Sequence, residues 1–197
     1  IKNYPVAYGI YGGLAAGLFE ETGRWVAFAF LLRNHKNKIT SIMYGIGHGG
    51  IEAILLGGLS LFTTMVTSVT INAVGIDSFL QSLPEASRAT MQATYEALVN
   101  NPSHMYLITY GERISAMILH ISLSVLVFTA VRNRKKRCLF PLAIFFHAFV
   151  NFFAGLFQAG VLTNIYILEI LILLYSLAVA YFAYRIYDNL EMDDEIN

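Results

Sequence analysis

Apolar runs of about 20 residues or more, near positions 6–32, 39–59, 106–131, 139–158 and 162–187, constrain the fold of this chain more than any other feature. A run of that length crosses a hydrocarbon core of roughly 30 Å as an α-helix. The expected fold is therefore all-α, a polytopic transmembrane bundle of about five spanning helices. Composition agrees: 56% of residues are hydrophobic and only 13% charged, against about 25% charged in a soluble domain. Mean hydropathy is +0.57. The net charge of zero gives no basic balance of the kind that nucleic-acid partners select, so no nucleic-acid partner is expected. The single cysteine, Cys138, rules out an internal disulfide and reads as a plain thiol near a helix end. A start at Ile1, with neither methionine nor a signal-peptide pattern, leads us to expect a fragment whose upstream helices are missing.

The whole chain, 1–197, reads as one integral-membrane domain with residues 76–105 as its polar loop. Ser60 to Ala73 either extends the second helix or follows a break at Gly57-Gly58, and both remain open. Within the loop, Ser82-Leu83-Pro84-Glu85 has the form of a capping box with proline in the first turn. Leu83, Met91, Tyr95 and Leu98 then fall near one face before Asn100-Asn101-Pro102, which predicts a short amphipathic helix at the membrane surface. Arg33, Lys36 and Lys38, and the basic run Arg132, Arg134, Lys135, Lys136 and Arg137, mark two connections as cytoplasmic. On that orientation the 76–105 loop is extracytoplasmic, and the acidic C-terminal tail, Glu191 to Glu195, is cytoplasmic. The expected location is the cell membrane.

Charges inside the apolar runs are hard to explain by packing. Glu20, Glu21 and Arg24 lie within the first run, where each charge costs on the order of 3 kcal/mol at mid-membrane. Counted from the cytoplasmic helix ends, Glu20, His48, His120 and His147 all sit roughly 12 to 18 Å deep. Each has a companion on its own helix: Arg24 after Glu20 and Glu52 after His48 at i+4, Asn151 after His147 at i+4, and Arg113 seven residues before His120. Gly9, Gly13 and Gly17 lead up to Glu20, and Gly45, Gly47, Gly49 and Gly50 surround His48, so neighbouring backbones can approach closely. A carboxylate among imidazoles and an amide has the makings of a hydrolytic site. Glu20 or Glu21 would be the general base, with His48, His147 and Asn151 positioning water or donating to an oxyanion. The same residues also permit a zinc site of His48, His120 and His147 with a carboxylate; on the glutamate–water mechanism no cofactor is needed. Ser124, at i+4 from His120, offers little support for a nucleophilic route. Two further classes are an ion-coupled transporter, since Glu and His chains also serve as relays, and a non-catalytic scaffold subunit.

The segments FEETGR, YGIGHGGIE, ERISAMILHISLSV and FFHAFVN, in that order, resemble the YhfC family of intramembrane metalloproteases over nearly the whole chain. That family is similar to the CAAX-processing and bacteriocin-processing enzymes (CPBP) and to the PrsW proteases, whose pattern is Glu-Glu-x-x-x-Arg, aromatic-x-x-x-His and His-x-x-x-Asn. Tyr44 to His48 and His147 to Asn151 fit the last two motifs. In the first, Arg24 follows the second glutamate by three residues instead of four, closer to the Glu-Glu-x-x-Lys form of PrsW. The resemblance implies hydrolysis of a peptide bond in a membrane-embedded peptide or protein substrate. Which glutamate is the base is open; the i+4 relation of Glu20 to Arg24, on a face shared with Gly13 and Gly17, favours Glu20.

Overall fold

The computed structural model describes residues 4–190, so the acidic tail and its expected side of the membrane lie outside the described residues. Eight α-helices are present among them: α1 (Pro5–Val26), α2 (Ile39–Glu52), α3 (Leu59–Val74), α4 (Ile76–Ser82), α5 (Glu85–Asn100), α6 (His104–Arg132), α7 (Leu139–Gln158) and α8 (Ile165–Asp188). No described residue is in a strand. Four helical stretches are long and apolar enough to cross a membrane, namely Ile39–Val74, His104–Arg132, Arg134–Gln158 and Ile165–Asp188. The protein is thus a helical membrane bundle. The first expected span is helical over Pro5–Val26, 22 residues or about 33 Å, long enough to cross a hydrocarbon core. It is not among the four, and its charged Glu20, Glu21 and Arg24 count against it on composition.

The chain divides into two compact units, residues 1–51 with 111–197, and residues 52–110. In the first, an apolar core forms around α6, with Phe28, Leu123, Leu126, Val127, Phe128 and Ala143 all at 1% exposure or less. The apolar stretch of α6 is 67% buried, against 28% and 17% for those of α7 and α8, so α6 is the central helix. Ile167, Ile170, Leu171, Leu174 and Leu177 of α8 stay exposed, as a lipid-facing surface requires.

Small residues bring the helices of this unit together. A Cβ on Gly17 of α1 would sit 2.7 Å from the carbonyl oxygen of Ile144 on α7, and one on Gly155 of α7 would sit 2.8 Å from the Cα of Gly9. The same close approach joins α2 to α6, where a Cβ on Gly45 would lie 2.5 Å from the Cα of Ile121. Arg132, at the end of α6, donates to the carbonyls of Phe28, Leu32 and His35, placing a cation over the terminal carbonyls of the first helix. That helix ends in a π-helical turn, Ala27–Leu31.

In the second unit, the helical backbone runs on through a π-helical segment, Ala53–Gly58, into α3, so Gly57-Gly58 does not break it. The expected capping box is not formed. The Ser82 hydroxyl donates to the Phe79 carbonyl at 2.6 Å as the last residue of α4, Leu83 is extended, and α5 begins at Glu85. The cause is Pro84, which pushes the residue before it out of the helical region. The predicted apolar face is found: Met91, Tyr95 and Leu98 are half-buried and, with Thr63, Thr67 and Ile71 of α3, line a cavity of about 450 Å³. That face lines the cavity against α3 within its own unit.

Glycine substitution tests the close approach. Gly45→Ala drives a methyl into the backbone of α6 and is expected to cost about 1 to 3 kcal/mol. Gly47→Ala, with nothing within 4 Å of its added methyl, should be neutral or slightly stabilising. Thermal unfolding in detergent distinguishes them; equal midpoints would contradict the packing described.

Candidate active site

The polar residues of the first unit converge at one place. On α1 the buried face runs Gly9, Gly13, Gly17, Glu21, Arg24. The four-residue glycine series therefore continues into Glu21, not Glu20. Glu21 and Arg24 are both at 0% exposure and form an i,i+3 ion pair at 3.2 Å. Glu20, about 100° around the helix, keeps 34% of its side chain exposed.

Each of the two carboxylates takes a different set of imidazoles. Glu21 Oε1 lies 2.7 Å from His147 Nδ1. Glu20 Oε2 lies 3.1 Å from His48 Nε2 and 3.8 Å from His147 Nε2. His120 packs against both other rings, with centroids 4.9 Å from His48 and 5.4 Å from His147. Arg24 holds it, Nη2 lying 3.0 Å from His120 Nδ1 and Nη1 donating to the His120 carbonyl at 3.3 Å. Four side chains assigned to a common depth from four helices thus lie in one cluster.

Several companions differ from their expected roles. Arg24 pairs with Glu21 at i+3, so the i+4 relation that favoured Glu20 is not the one its buried contacts use. Arg113, placed as support for His120, makes a two-pronged pair with its neighbour Glu112. Asn151 Nδ2 donates to the His147 carbonyl at 3.2 Å; it braces the helix beside the imidazole. Ser124 is fully buried, and its hydroxyl donates to the His120 carbonyl at 2.7 Å, a structural role and not a nucleophile's. Glu52 closes α2 one turn beyond His48. The Tyr44 ring lies between Phe28, at 4.8 Å, and His48, at 5.9 Å, and its four-residue spacing before His48 was the available signal.

The donor set suits a metal ion. Ligand atoms of Glu20, His48 and His120 lie within 4.8 Å of one another. Two ligands of tetrahedral zinc stand about 3.3 Å apart, and the separations of His48 Nε2 and His147 Nε2 from Glu20 Oε2 bracket that value. The Glu21 carboxylate on His147 Nδ1 is the kind of contact that orients metal-binding imidazoles from behind. His147 Nε2, 3.8 Å from the same Glu20 oxygen, is a further candidate ligand beside that group.

A family model described as YhfC intramembrane metalloprotease matches residues 1–172. The chain belongs to the YhfC family. A Bacillus subtilis (strain 168) protein named uncharacterized membrane protein YhfC is 38% identical over 173 residues, 87% of this chain. The match spans 66% of that relative's length, less than two thirds. No solved structure matches the chain. The matched region contains every residue of the cluster, from Glu20 to Asn151.

The buried ion pair makes a stability prediction. Arg24→Met leaves Glu21 as an uncompensated buried charge and should cost about 3 to 5 kcal/mol. Arg24→Met combined with Glu21→Gln removes both charges and should recover more than half of that loss. Unfolding of both variants in one detergent is the measurement, and equal losses would contradict the pairing.

Proposed function

We propose that this protein is an intramembrane endopeptidase whose acid–base residue is Glu20. One observation carries the reading: Glu20 is the partly exposed carboxylate of the cluster, in contact with both His48 and His147, while Glu21 is sealed behind it against Arg24. A general base must reach water and substrate, and a fully buried carboxylate already committed to a guanidinium and an imidazole does not. The family description, intramembrane metalloprotease, supports the same class of reaction.

Glu20 accepts the proton of the attacking water, then returns it to the leaving amine. His48, 23% exposed, stands beside that carboxylate and orients the water. His147 is fixed by Glu21 and presents Nε2 toward Glu20. Asn151 steadies the backbone at His147. His48 and His147 are the imidazoles that would hold a zinc ion beside Glu20, and zinc when bound would supply Lewis-acid polarisation of the scissile carbonyl and acidify its water. The substrate is a membrane-embedded peptide or protein, because the cluster lies on helices whose outer faces are apolar.

Cleavage of a membrane peptide reconstituted with the protein tests the reading. Glu20→Gln should lower the rate on the order of 10² to 10⁴-fold while leaving thermal unfolding nearly unchanged, since Glu20 is partly exposed. Undiminished product from Glu20→Gln would overturn it. Metal content of the purified protein, compared with a His48→Ala/His147→Ala form, tests the zinc assignment separately; equal content near zero would remove it.

A further inference from the structure

His120 and His147 are neighbours, but they are held from behind by groups of opposite hydrogen-bonding character. The partner of His120 Nδ1 is Arg24 Nη2, 3.0 Å away. A guanidinium has donors only and keeps its charge, so His120 Nδ1 must be the acceptor. A neutral imidazole that accepts at Nδ1 carries its one proton on Nε2. The partner of His147 Nδ1 is Glu21 Oε1, 2.7 Å away. A carboxylate paired with a guanidinium offers lone pairs, so His147 Nδ1 is the donor and its Nε2 carries the lone pair.

We propose that the buried Glu21–Arg24 pair imposes opposite tautomers on these two rings, fixing His120 as the Nε2–H form and leaving His147 an Nε2 lone-pair acceptor or metal ligand. Arg24 and Glu21 are positioning residues in this scheme, acting through His120 and His147. The metal-ligand role of His147 rests on the endopeptidase reading, whereas the tautomer assignment does not. The scheme also separates His120 from the metal-binding residues. To ligate through Nε2 it would need a proton on Nδ1, directed at the hydrogens of Arg24.

Side-chain ¹⁵N NMR of histidine-labelled protein in nanodiscs tests the assignment, with signals identified by single His→Gln variants. His120 should show the Nε2–H tautomer and His147 the Nδ1–H tautomer. In Arg24→Met/Glu21→Gln, chosen to avoid an uncompensated buried charge, the His120 signals should move toward those of a ring exchanging between tautomers. An Nδ1–H signature for His120 in the parent protein would overturn the proposal, as would an unchanged His120 spectrum in a double variant that remains folded. Zinc content gives a second readout. His120→Gln should retain the parent's metal content while His48→Ala loses it, and an equal loss from both would make His120 a ligand and defeat the scheme. The NMR result depends on neither turnover nor metal, so the endopeptidase reading can fail while the tautomers stand, and the reverse.

Discussion

The ion pair between Glu21 and Arg24 is the interaction on which the rest of the first unit depends. Both side chains are at 0% exposure, and removing two such charges from water costs several kcal/mol per ion. Their mutual attraction offsets this only when the remaining donors and acceptors are also occupied. Arg24 reaches α6, at the ring and the carbonyl of His120, and Glu21 reaches α7, at the ring of His147. One pair on α1 thereby fixes the level of two other helices. The imidazoles of His120 and His147 take up part of the pair's hydrogen-bonding capacity, while Arg24 Nε makes no hydrogen bond.

Adjacent glutamates on one helix cannot share an environment. Successive residues are about 100° apart, so a helix that buries Glu21 on its glycine face turns Glu20 to the edge of that face. The edge is where a carboxylate can meet both His48 of α2 and His147 of α7 while retaining exposure. The two acids are therefore chemically inequivalent by geometry alone. Glu21 orders the imidazoles, and Glu20 stands where a proton can be exchanged.

Much of this was legible from the residues. Apolar run lengths placed two of the spans to within a few residues, 139–158 matching Leu139–Gln158 and 106–131 matching His104–Arg132. Counting rise from helix ends brought Glu20, His48, His120 and His147 to one depth, because depth depends only on sequence number and a constant rise. Side-chain partners were harder to read. Residues at i+3 and i+4 are both helical neighbours, and spacing alone does not choose between Glu20 and Glu21 as the partner of Arg24. The choice is made by the face that α1 turns to α7, which the series Gly9, Gly13, Gly17 indicates when extended by four to Glu21. The contact of Arg24 with His120 spans 96 residues, and no local pattern encodes it. At Ser82 a locally correct capping signal lost to Pro84, whose steric demand on Leu83 stops one helix before the next begins.

Why the polar groups meet at hydrogen-bond distance follows from what separates the helices. Between α1 and α7, and between α2 and α6, the contacts at Gly17 and Gly45 are with backbone, which cannot rotate out of the way as a side chain can. Helices spaced by large side chains can slide and repack with little cost, but helices in backbone contact at small residues are held in register, because sliding drives the next side chain into the neighbouring main chain. A shift of one turn, about 5.4 Å, would separate Glu21 from His147 entirely. The glycines therefore do more than make room: they convert helix register into side-chain position. The charged and imidazole groups are thereby preorganised by the helix packing, as an electrostatic cluster in a low-dielectric surround requires.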